Sequence, residues 1–217
     1  MKPAAIAALA LVLARPLAAA DYPHIDFEYS DIWASVCGEL SGEEVPRDLV
    51  AAARAMVPEL ERQWNRNEDA LLGAAVQAAG SAFRARELHA VVSLCRTPSM
   101  SKPLVINVRR WLAPGAPPLD WAVVVGVVFH ESLHWYVHAL VPDSSRLLAK
   151  YADEELLVRR HLHLLALLRH VYTRLGRTGE LARIMEADRR LPRPAYKRAW
   201  EIVNAEGDAP FVSELKR

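Results

Sequence analysis

Apolar positions along this chain follow two rhythms, and the change between them marks out the elements. Leu49, Ala53, Met56, Val57 and Leu60 recur at helical spacing after Val45-Pro46-Arg47, which predicts a helix there. Pro58 falls inside the pattern, as a point where that helix kinks or divides. The Ala- and Leu-rich stretch from Glu68 to about Arg84 predicts a second helix, and residues 21–40, anchored by Tyr22, Phe27, Tyr29, Ile32 and Trp33, predict a packed N-terminal arm. The rhythm then shortens. Leu88 to Cys95 and Leu104 to Val108 are β-prone runs around a turn at Pro98 to Lys102, which together predict a hairpin. Pro114, Gly115, Pro117 and Pro118 mark a loop.

Asp120 is placed to cap a helix from about Trp121 to Leu140, closed by Pro142. Its faces are apolar nearly all round, which predicts a buried helix. Asp153 is placed to cap another helix running to about Leu175, with Gly176 as its stop. Two further helical stretches, near 180–190 and 195–205, complete a basic tail. The chain shows no internal repeat and no low-complexity linker. The expected fold class is therefore α+β: one domain over 21–217, mainly helical, with a small β-hairpin or sheet.

Residues 1–20 differ in composition. Lys2 precedes an apolar run from Ala4 to Ala14, followed by Arg15, Pro16 and the small residues Ala18-Ala19-Ala20. This is the layout of a secretory signal peptide cleaved after Ala20. The apolar run is too short to cross about 30 Å of hydrocarbon as a helix, so no stable membrane anchor is expected after cleavage. No Cys stands where a lipoprotein would carry one. The expected location is exported, either periplasmic or secreted. Export gives meaning to the two cysteines, Cys37 and Cys95, which an oxidising compartment would join as a disulfide across 58 positions. The charge balance of 27 Lys+Arg against 26 Asp+Glu lacks the basic excess of a nucleic-acid binder, so nucleic acid is not expected as a partner. Nothing in the sequence fixes an oligomeric state.

The chemistry lies in the apolar helix, at His130-Glu131-Ser132-Leu133-His134. Histidines four apart on a helix project from one face and are able to share a tetrahedral metal ion. Glu131 stands about 100° round the helix. There it reaches a water on the metal without ligating. In so apolar a helix, two imidazoles and a carboxylate need partners, and a zinc ion supplies them. Zinc requires a third protein ligand. His138 has rotated out of line with the pair. Glu154 shares a helical face with Val158, His161, Leu165 and Leu168, the inward one, and is favoured. Glu155 aligns with Arg159 and Leu162 on a more solvated face, and Glu155 and His161 stay open as alternatives. His163 is a further downstream histidine.

The sequence HESLH, followed about twenty residues later by a glutamate on a helix, resembles the gluzincin branch of the zincin metallopeptidases, in particular its minimal single-domain members. It lacks metzincin spacing, since Val137 stands where those carry glycine. The resemblance covers roughly residues 85–175. It implies an α+β catalytic core, zinc held by His130, His134 and Glu154, and Glu131 as general base. It also implies an edge strand that pairs with extended substrate, for which Leu104–Val108 is the candidate. A His or Tyr would stabilise the tetrahedral oxyanion. His161 leads as that catalytic residue, with Tyr151 and Tyr172 as alternatives. The implied function is a zinc-dependent hydrolase acting on peptide or protein. The alternative is a zincin-fold scaffold or binding protein of the periplasm that holds zinc structurally without turnover.

Overall fold

The structure is a computed structural model. It describes residues 21–42 and 44–216, and the segment read as a signal peptide lies outside them. The architecture is mainly helical around a small three-stranded sheet, in keeping with the α+β class. Strand β1 (His24–Tyr29) leads into α1 (Asp31–Ser41), α2 (Arg47–Asn65) and α3 (Glu68–Ala79), then β2 (Glu87–Ser93) and β3 (Val105–Asn107). The remainder is helical: α4 (Arg109–Leu112), α5 (Trp121–Val137), α6 (Arg146–Lys150), α7 (Leu156–Arg174), α8 (Thr178–Arg189), α9 (Pro194–Glu206) and α10 (Ala209–Leu215).

The N-terminal arm begins as a strand. His24-Ile25-Asp26-Phe27 alternates polar and apolar, and Ile25 and Phe27 turn inward. Glu68 fastens this strand to the α2–α3 junction, its carboxylate accepting from Ile25 N at 3.0 Å and from Trp64 Nε1 at 2.8 Å. Helix α2 runs unbroken through Pro58, which sits with Arg54, four residues earlier, on its exposed face. Helix α3 stops at Gly80, whose φ of 70° is left-handed, several residues short of the expected end.

The expected hairpin is not formed. The sheet order is β1-β2-β3 and both pairings are parallel, with Phe27 opposite Ala90 and Val92 opposite Ile106. The physical reason lies in the excursion after β2. The chain runs outward past Cys95, turns back, and Met100 pairs antiparallel with Val105, so β3 re-enters in the direction of β2. Cys95 is bridged to Cys37 of α1, with Cα atoms 4.8 Å apart.

Helix α7 is the hub, packed against α3, α5, α8, α9 and α10. Every residue from His161 to Leu168 is buried, as an all-round apolar run demands. Helix α5 lies between α2, α7 and α8. Asp120 caps it as expected, accepting from Ala122 N at 3.0 Å. At Gly126 a Cβ would stand 2.6 Å from Ile184 Cδ1, so this glycine is what allows α8 to lie against α5. The C-terminal α10 was not foreseen. It returns Glu214 to the start of α6, where Arg146 N donates to Oε1 at 3.0 Å. No described helix is long and apolar enough to cross a membrane.

Candidate metal centre

Helices α5 and α7 bring three imidazoles together. His130 and His134 project from one face of α5, and His161 meets them from α7. Ring centroids lie 5.1 Å apart for His130–His134, 5.2 Å for His130–His161 and 4.9 Å for His134–His161. One nitrogen from each ring falls within 4.8 Å of the others. A tetrahedral ion with metal–nitrogen bonds of about 2.0–2.1 Å needs its ligand nitrogens about 3.3 Å apart, so binding would draw them together by at most about 1.5 Å.

The electrostatics suit metal ligation. Burial holds all three imidazoles neutral; neighbouring histidines add to the effect at His130 and His134, and the Arg160 cation does so at His161. His130 is pushed well below the usual histidine range, His134 falls to about 3, and His161 is lowered as well. Neutral imidazole is the form that binds a metal. His161 is oriented for it. Its Nδ1 lies 2.7 Å from the Leu157 carbonyl, which only accepts, so Nδ1 carries the proton and Nε2 carries the lone pair. That Nε2 is buried with no hydrogen-bond partner among the described residues. A buried, unpaired acceptor is costly, and a cation held by the three rings would satisfy it.

The residues foreseen from sequence separate into two groups. His130, His134 and His161 are brought together, and Glu131 lines a cleft beside His130. Glu154 is not among them. Helix α7 starts at Leu156, so Glu154 lies in the preceding turn, off the face that the helical wheel assigned to it. Its Oε1 accepts instead from Arg198 Nε at 2.9 Å and Nη2 at 2.5 Å. Glu155 is the exposed cap residue of α7, and His138 is exposed just past the end of α5. His163 faces away, with Nε2 2.8 Å from Glu214 Oε2. Of the tyrosines considered, Tyr151 donates to Glu206 at 2.6 Å, and Tyr172 is fully buried in the core beside Phe129. The outer edge of β3 is already taken up, since Val105 exchanges both backbone bonds with Met100 and Asn107 N donates to Ser99 Oγ. It therefore has no free edge at those positions for a substrate strand.

Two neighbours of the centre come from the C-terminal helices and were not read from sequence. The Tyr196 ring lies 4.7 Å from that of His161 and 6.0 Å from that of His130. Burial raises its hydroxyl to about 12, so it is a protonated donor throughout the neutral range. Asp188 of α8 is buried and accepts from Trp200 Nε1 at 2.9 Å. Its signal was present: Leu181, Ile184 and Asp188 form one helical stripe with a carboxylate among the apolar residues. Glu131, His130, Asp188 and Tyr196 all line one cleft of about 1150 Å³. With protein groups alone, burial and then the Asp188 charge raise Glu131 to about 8.

Comparison with family models, with curated proteins and with solved structures finds no match to this chain. The reading of the centre therefore rests on its own geometry.

Proposed function

We propose that this protein is a zinc-dependent peptidase in which His130, His134 and His161 hold the metal and Glu131 is the general base. The observation that carries this reading is a cluster of three buried histidines, one of which, His130, lines a large cleft together with its chain neighbour Glu131. Three uncharged ligands leave the full charge of a divalent ion uncompensated, whereas the expected glutamate would have neutralised part of it. When bound, such an ion supplies Lewis acidity, lowering the pKa of water and polarising a carbonyl. Glu131 takes the proton of the attacking water and returns it to the departing amine. A cation in the centre would draw Glu131 down from about 8 toward its ionised, basic form. Tyr196, rather than His161, is the residue assigned to donate a hydrogen bond to the oxyanion. The cleft exceeds the roughly 300–1,000 Å³ of ordinary small-molecule sites, which favours a chain of several residues as substrate. The apolar leader pattern and the Cys37–Cys95 bridge support an exported enzyme.

Glu131→Gln tests this directly. The variant should retain its zinc and its fold, while cleavage of a peptide library falls at least ~10²-fold. A variant as active as the wild type sinks the mechanism. A zinc-loaded wild type that cleaves nothing favours the scaffold role.

A further inference from the structure

The wall of the cleft has a composition unlike the rest of the chain. Arg96, Arg109, Arg110, Arg183, Arg190 and Arg193 line it, against four carboxylates, those of Asp120, Glu131, Glu186 and Asp188. The whole chain is close to neutral, at a formal +1, so this basic lining is local. Several of these charges are already spoken for. Asp120 pairs with Arg183 at 3.5 Å, Glu186 with Arg190 at 3.0 Å, and Asp188 accepts from Trp200. Arg109 donates to the Leu94 carbonyl at 3.2 Å.

Arg96 is engaged as well, which leaves two guanidiniums without an acceptor among the described residues. Arg110 is half-buried over the Trp111 ring, 4.8 Å from its centroid, and makes no hydrogen bond or ion pair. Burial lowers its pKa, a sign that its charge is poorly solvated where it stands. Arg193 is exposed at the start of α9. Both line the same cleft as His130, Glu131 and Tyr196. A partly desolvated guanidinium with no hydrogen-bond acceptor is unfavourable until an anion meets it, and its planar fork suits a carboxylate.

We propose that Arg110 and Arg193 select acidic peptides, holding Asp or Glu side chains next to the bond that is cut. This inference rests on the peptidase reading for the fate of the bound chain, but binding itself is measurable without turnover. The favoured occupant is a peptide rather than a nucleic acid, because the surface outside the cleft carries no basic excess to track a phosphate backbone.

The test is calorimetric titration of the full zinc-loaded chain carrying Glu131→Gln with three unlabelled ten-residue peptides. These differ only in bearing Glu, Gln or Lys at the central positions. The Glu peptide should bind at least ten times more tightly than the Gln peptide in low salt, with the Lys peptide weakest, and the preference should shrink as salt is raised. Arg110→Gln and Arg193→Gln should each reduce the Glu-to-Gln ratio at least threefold at unchanged zinc stoichiometry. Arg193 is exposed, so its variant reports even if Arg110→Gln folds poorly. Equal affinities, or a Glu preference untouched by the Arg193 variant, overturn the proposal. So does tighter binding of a short single-stranded oligonucleotide than of the Glu peptide. If the charge order holds but wild type cleaves no peptide, the peptidase reading fails and this one stands. If wild type cleaves all three peptides equally, this one fails and the peptidase reading stands.

Discussion

His161 directs its Nδ1 proton to the carbonyl of Leu157, one turn back on its own helix, and so presents a bare Nε2 to the two histidines of the neighbouring helix. That hydrogen bond fixes both tautomer and ring direction before any metal arrives.

The first prediction separates His161 from Glu154. His161→Ala should weaken zinc binding by more than about 100-fold, since loss of a supporting hydrogen bond alone costs 10–100-fold. Glu154→Ala should leave zinc binding unchanged and loosen only the contact with Arg198. Competitive titration against a chelator of known affinity measures both. The opposite pattern would return the third ligand to Glu154.

Tyr196→Phe keeps the ring against His161 and removes only the hydroxyl. Zinc content and KM should stay near wild type while kcat drops about 10²-fold, the scale of losing one oxyanion donor. A drop in zinc content matching the drop in rate would make the hydroxyl structural instead.

Much of this was legible in the sequence, and the failures share a cause. Helices α5, α7, α8 and α9, with Asp120 as cap of α5 and Gly176 as stop of α7, follow from local periodicity and turn chemistry. So does the His130–His134 pair on α5, because its spacing is set within one helix. The third member of the cluster depends on where α7 begins. Moving the start from the turn at Asp153 to Leu156 takes Glu154 off the inward face and leaves His161 as its first polar member. The parallel direction of β3 depends on how residues 94–104 fold back, and Tyr196 depends on where α9 lies across α7. These are tertiary facts, and propensity does not carry them.

Gly126 permits a mutational test of the packing. Gly126→Ala gains helix propensity of about 1 kcal/mol but places a methyl against the buried Ile184, an overpacking worth about 1–3 kcal/mol. The variant should melt at a lower temperature, and adding Ile184→Val should recover part of the loss. Strictly additive effects in this double-mutant cycle would rule out the contact.

Stability of the metal-free chain should fall with acid from neutrality. Burial lowers the pKa of His130, His134, His161 and His163, so the unfolded chain takes up protons near pH 6.5 that the fold refuses. Their contribution is complete above about pH 6.5 and is lost as pH falls toward the lowered values. Three raised groups act oppositely. Glu131, at about 8, Asp188, at about 6, and His24, raised by its hydrogen bond with Glu68, favour the fold as pH drops. Four buried imidazoles against these three groups should leave the melting temperature lower at pH 5.5 than at pH 7.5. A flat or inverted profile would show that these histidines are not buried in solution.

The bridge between Cys37 and Cys95 bears on the order in which the molecule assembles. Parallel pairing of β1 with β2 joins Phe27 to Ala90, contacts so distant along the chain that finding them is a slow, entropically costly search. The cystine spans 58 positions and joins α1, the helix that follows β1, to the residue two beyond the end of β2. A chain oxidised before it folds therefore already holds its two strands near each other, and their pairing becomes a local event. The covalent ring so formed encloses α2, α3 and β2 but none of the clustered histidines, since His130, His134 and His161 all follow Cys95. With a metal held there as proposed, the molecule would carry two independent fastenings. Reduction would open the first half without touching the histidine-bearing helices, and chelation would release those helices while the ring stays shut.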